Sequence, residues 1–174
     1  MKLITSLITI IVILSLFNLA SCKNSQVENL RDKIKMEAET MSKLLVNKDY
    51  KNFVKYIYPH LLEVMGGKEK VINIFNQGLP NGNTIKSVKV SYPSDTIMIN
   101  NQIQCTVNEE ITMNVKGGKL IVTSTLIGLS NDQGKTWYFL DANSKSQGML
   151  KRGFPELSNR LIIVESSKPI FISE

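Results

Sequence analysis

One carboxylate poses the sharpest chemical question in this sequence. Between Gln102 and Lys116 the residues alternate, and one face holds Ile103, Cys105, Val107, Glu109, Ile111, Met113 and Val115. Glu109 is the only charged residue on that face. A lone buried carboxylate is costly unless it is hydrogen-bonded or protonated. Facing a cavity, Glu109 would orient a ligand or take a proton. Two other placements compete: a β-bulge at Asn108-Glu109 that turns it outward, or a strand that projects past the core there. Outward or rim placement is the expectation favoured over a functional carboxylate. No second acid, His or Tyr can be assigned as its partner from spacing.

The remaining reactive side chains offer less. Cys105 sits among apolar neighbours and reads as a small buried hydrophobe rather than a reactive thiol. His60 follows Pro59 at a helix start and reads as a surface or capping residue. Lys145, Lys151 and Arg152, with Gly148 and Gly153, form a loop that either meets an anionic partner or is simply solvated. One His and two Cys in 174 residues exclude a multi-His metal centre and a zinc ribbon. There is no Ser/Lys, Ser/His/Asp or Cys/His pattern, and no phosphate-binding loop. The expectation is a protein without metal or cofactor and without a catalytic constellation. The 21 basic and 15 acidic residues give a formal charge of +6, with the excess in residues 23–92. Those lysines favour anionic head groups weakly at most, because acids are interleaved with them. No basic block or aromatic-basic platform offers a surface for nucleic acid.

The first 22 residues say where the protein lives. Lys2 precedes an apolar run from Leu3 to Leu19, which ends in Leu19-Ala20-Ser21-Cys22. A short positive start, an apolar core and small residues before a cut site describe a secretory signal peptide. The alternative is an uncleaved membrane span, for which the run is only just long enough. The Leu-Ala-Ser-Cys ending resembles the lipobox of bacterial lipoproteins, whose Cys is diacylated before signal peptidase II cuts. The resemblance implies that residues 1–21 are removed and that Cys22 becomes a lipidated (palmitate-bearing) first residue. It also implies an exported protein of the cell envelope, anchored to a bacterial membrane and facing the periplasm or sitting on the outer membrane. Residues 22–26 then form a short lipidated tether, residues 27–165 a single domain and residues 166–174 a C-terminal tail.

Within the domain, Val27, Leu30, Ile34, Ala38, Met41 and Leu45 step by three or four residues and predict one amphipathic helix. Asp49 is placed to cap a second helix carrying Tyr50, Phe53, Val54 and Ile57. Pro59 starts a further segment to Met65, which Gly66-Gly67 stops. A helix over about 68–77 follows, with Val71, Ile74 and Phe75 inward. From Thr84 the chain reads as strands, over about 84–92, 96–99, 102–116, 119–129 and 136–141. The alternation from Gln102 to Lys116 predicts one buried and one wet face, with Gly117-Gly118 as the hairpin turn. A helical turn is expected at Pro155 to Arg160, a short strand at Leu161 to Val164, and a surface tail from Glu165.

Helices followed by a meandering antiparallel sheet give an α+β order. Through the Asn47-Lys48-Asp49-Tyr50 junction, the two long hairpin strands and the closing Lys135-Thr136-Trp137-Tyr138-Phe139, this layout resembles the nuclear transport factor 2-like (cystatin-like) fold. That resemblance implies N-terminal helices packed in a curved antiparallel sheet shaped as a cone. It also implies a concave face where related isomerases keep an acidic base. Ser130, Asp132, Gly134, Thr136 and Trp137 match the Asp-box pattern, resembling hairpin turns of sialidase-type propellers. A propeller needs several blades of about 40 residues, so a single box reads as a structural turn clamp. The expectation is a lipid-anchored binding or interaction module for a small apolar ligand or another envelope protein. A hydrolase or isomerase using Glu109 is the first alternative, and a structural envelope component the second.

Overall fold

A computed structural model describes residues 28–142, 147–164 and 168–173. The chain divides into two compact units, Met1–Lys33 and Ile34–Glu174, and the sheet lies wholly in the second. The leader, Cys22 and the tether lie outside the described residues.

Helix α1 covers residues 28–46, and its stripe buries Ile34, Ala38 and Met41 as the spacing predicts. After a break at Asn47-Lys48 comes α2 (Tyr50–Phe53), whose first turn is held by Asp49. That carboxylate accepts from the Asn52 backbone N–H and side-chain amide. The second helix is shorter than expected. Ile57 leaves it and forms a parallel bridge to Phe139, with Tyr58 N–H donating to Phe139 O at 3.0 Å. Satisfying those backbone groups against a sheet edge outweighs one more turn of helix. Pro59 then opens α3 (Pro59–Val64), and Gly66 and Gly67, both at positive φ, lead into α4 (Lys68–Asn76). Val71 of α4 is buried as expected, but Ile74 is 44% exposed.

The strands are β1 (Thr84–Val90), β2 (Ile97–Ile99), β3 (Gln102–Val115), β4 (Gly118–Ser130), β5 (Tyr138–Ala142) and β6 (Ile170–Ser173). All pairings are antiparallel: β1 and β2 lie on β3, β3 on β4, and both β5 and β6 on β4. The protein is thus α+β with a six-stranded antiparallel sheet. The β3–β4 register pairs Val115 with Gly118, so the hairpin turns through Lys116-Gly117 rather than Gly117-Gly118. Gly117 takes the positive φ of 84° that such a turn favours.

Both faces of the sheet are buried at one end. Gln102, Gln104 and Thr106, expected on a wet face, are all buried. They share their face with Ile127, Leu129, Leu140 and Ala142, which form a core with Tyr58, Leu150 and Phe154. The cover comes from α5 (Gln147–Gly153) and the segment after it, so the helix lies earlier than the expected turn at 155–160. Residues 161–164 form no strand, correcting that expectation; Val164 N–H donates to the Thr125 hydroxyl at 3.3 Å, and Leu161 and Ile163 pack on this core.

The last segment is also more than a surface tail, since β6 pairs with Gly118 to Ile121 of β4. Its close approach explains Gly118: a Cβ there would lie 2.1 Å from the Ile172 carbonyl oxygen. Gly118→Ala is therefore expected to undock β6 while leaving the rest of the sheet paired. Hydrogen exchange at Phe171–Ser173 should accelerate at least tenfold, with no comparable change in β3.

Candidate functional site

The register carries Glu109 into the sheet with no bulge at Asn108-Glu109. Val107, Asn108 and Glu109 face Leu126, Thr125 and Ser124 in unbroken sequence. The irregularity sits instead on β1, between Ile85 and Ser87. Glu109 is 9% exposed and shares its face with Val107 and Leu126, which corrects the outward or rim expectation. Residues directly opposite in an antiparallel pair point to one side, so Val90, Ser124 and Asp141 belong to the same face. The Ser124 hydroxyl donates to the Asp141 carboxylate. Burial, and secondarily the Asp141 charge, push the Glu109 carboxyl up to about 7. A carboxyl poised there holds or releases a proton near neutrality, which suits acid–base work. It also suits a carboxylic acid kept neutral as a hydrogen-bond donor.

The five Asp-box residues come together in one tight turn. The Asp132 carboxylate accepts from the Ser130 hydroxyl at 2.9 Å and from the Thr136 N–H at 2.8 Å. The Ser130 hydroxyl accepts from Gly134 N–H at 2.9 Å, and the buried Trp137 donates its indole N–H to Gly134 O at 3.2 Å. These donors, led by Thr136 N–H, hold the Asp132 carboxyl down at about 2. These four bonds lie within the turn, so the box clamps β4 to β5.

A buried polar network escaped the sequence reading. Gln104, fully buried, donates to Gln102 Oε1 at 2.7 Å and to Glu156 O at 2.9 Å, and its Oε1 accepts from Ser158 N–H at 2.8 Å. Gln102 donates to Asn131 Oδ1 at 2.8 Å, while the Tyr58 hydroxyl donates to Glu156 Oε1 at 3.1 Å. His60 lies half-exposed with Nδ1 4.0 Å from the same carboxylate, its ring edge-on to Phe154. The glutamines thereby staple residues 156–158 onto β3. Two long amides on one strand face were the available signal, but alternation alone assigned them to water.

Cys105 is fully buried, and burial pushes its thiol up to about 12, so it carries no nucleophile at neutral pH. Lys151 and Arg152 are exposed on α5, with Arg152 Nε bonded to Gly148 O, and Lys145 lies outside the described residues. Among the described residues no three His, Cys, Asp or Glu side chains gather as a metal site. No helix among them is long and apolar enough to cross a membrane.

Glu109 is not among the residues lining three pockets formed by described residues. The most apolar holds about 290 Å³ between the end of α1, α4 and the start of β1. Leu45, Val46, Tyr50, Ile74, Phe75, Leu79 and Ile85 form its walls, with Lys48, Asn76 and Asn83 among its polar groups. Phe75 is stacked on Tyr50 at 5.3 Å and meets Phe53 edge-on at 5.1 Å, which fixes the floor in place. The exposed Ile74 that departed from its expected inward position lies at this pocket. No protein-family model matches the chain, and no curated protein matches it either.

Proposed function

We propose that this chain is a lipid-anchored binding module of the bacterial envelope that holds a small apolar ligand between α1, α4 and β1. Cys22, acylated after removal of residues 1–21, would tether it. The helices and sheet would form a cone of the nuclear transport factor 2-like kind. The 290 Å³ apolar pocket carries the reading. Ligand sites are concave, mostly apolar and furnished with a few polar groups, and this one lies at the small end of their usual range. Leaving Ile74 at 44% exposure is wasteful for folding but useful to a ligand that covers it.

The test is what the detergent-extracted, full-length protein retains. Apolar small molecules should be detected with it by mass spectrometry. Ile74→Trp, which fills the pocket from its exposed side, should reduce their retention at least tenfold. Equal retention by the variant and the parent would sink the pocket as the ligand site.

A second reading is supported by a separate observation, the Glu109 carboxyl buried and held at about 7. An isomerase or hydrolase using Glu109 as acid or base would lose turnover in Glu109→Gln while still retaining ligand. A pure binder would keep both its ligand and its function.

A further inference from the structure

A lysine stands at the end of α1 where the backbone favours glycine. The helix closes with Asp49 N–H donating to Leu44 O at 2.9 Å and Lys48 N–H donating to Leu45 O at 3.1 Å. That paired closure holds Lys48 in the left-handed region, at φ 59°, where a Cβ is disfavoured and glycine is the usual occupant. Residues kept in such conformations cluster at functional sites, because the side chain is wanted there despite the strain. Lys48 lines the 290 Å³ pocket and is the one charged residue among those that do. None of the ion pairs among the described residues involves it. Asn76, Asn83 and Thr84 add amide and hydroxyl groups to the same lining. The Thr84 hydroxyl oxygen accepts from the Asn114 amide at 3.4 Å, which leaves its own proton to donate.

We propose, on the reading that this pocket holds the ligand, that the ligand is a single-chain fatty carboxylate whose head pairs with the Lys48 ammonium. Charge selects this class. The lining offers one cation, several N–H and O–H donors and no acid, so an anionic oxygen head finds partners and an ammonium head meets a like charge. One cation matches the single charge of a carboxylate rather than the nearly double charge of a phosphate ester. The aliphatic and aromatic walls take the chain, and about 290 Å³ suits one chain rather than the two tails of a membrane phospholipid. Lysine at this position thus gives up some ease of helix closure and supplies the specificity of the site.

Decanoate, its methyl ester and decyltrimethylammonium share a chain and differ in head charge. The full-length protein in nonionic detergent at pH 8 is equilibrated with each, and the retained molecule is quantified by mass spectrometry. Lys48→Gln should lower decanoate retention about tenfold, the scale of one charge-assisted hydrogen bond, and leave the ester unchanged. Lys48→Arg should keep decanoate, and Lys48→Glu should turn the preference toward decyltrimethylammonium. Lys48→Gly, which suits the left-handed backbone, should resist urea at least as well as the parent yet lose decanoate as Lys48→Gln does. Ile74→Trp should exclude decanoate and ester alike. Equal decanoate retention by Lys48→Gln and the parent, with both molecules still excluded by Ile74→Trp, would overturn the carboxylate head and leave the pocket standing. Undiminished retention of both by Ile74→Trp would overturn the pocket and the carboxylate together.

Discussion

Cys22→Ala is expected to abolish incorporation of labelled palmitate and to leave residues 1–21 on the chain. The Leu19-Ala20-Ser21-Cys22 ending places the thiol where a lipobox requires its acylated nucleophile, and alanine offers no sulfur to acylate. Cleavage follows acylation in that class of protein, so the variant should also be heavier by its uncut leader. Each buried CH2 contributes about 0.8 kcal/mol to membrane binding, and two or more acyl chains give lasting anchorage where one is marginal. The variant should consequently exchange an acyl anchor for whatever hold its apolar leader retains. Intact-mass measurement and palmitate labelling read both changes. Unchanged labelling, or a parent chain that keeps its leader, would refute the anchor.

Glu109→Gln is expected to stabilise the protein by about 3 kcal/mol at pH 8 and to change little near pH 4. The Glu109 carboxyl, ordinarily near 4.5, is pushed up to about 7 by burial and then by Asp141. In the unfolded chain it ionises freely from about pH 4.5. The folded protein resists that ionisation, so the group's contribution is fully present below pH 4.5 and is lost as pH rises toward 7. At about 1.4 kcal/mol for each pKa unit, the window of roughly 2.5 units sets the size of the effect. Glutamine keeps the shape and removes the charge, so it escapes the loss. Urea unfolding of parent and variant at pH 4 and pH 8 measures the difference. A variant equally or less stable at pH 8 would mean that the ionised carboxylate is held by a stabilising network. Combined with ligand retention and turnover, the same substitution separates the binding reading from the acid–base one.

Much of this protein was legible because its signals are local. The stripe of α1, the Asp49 cap and the Asp-box turn each depend on contacts a few residues apart. The bonds of Ser130, Asp132, Gly134 and Trp137 that hold the box close between Ser130 and Trp137, so a linear pattern suffices to describe it. The singular position of Glu109 on an apolar face was visible for the same reason, since alternation states which side chains share a side of a strand.

Alternation does not state what covers that side. Gln102 and Gln104 looked wet until residues 156–158, half a hundred positions later, brought the backbone groups that satisfy them. Ile57 was assigned to a helix face because its pairing with Phe139 lies far along the chain, and β6 went unseen because Gly118 to Ile121, its template, is equally remote. Sequence by itself determined the local periods, the Asp49 cap and the Asp-box clamp. Tertiary structure alone decided which faces lose water, and hence the raised Glu109 carboxyl and the apolar pocket. The reason is that solvent exclusion comes from chain segments that meet only after folding, and periodicity within one segment carries no information about the other.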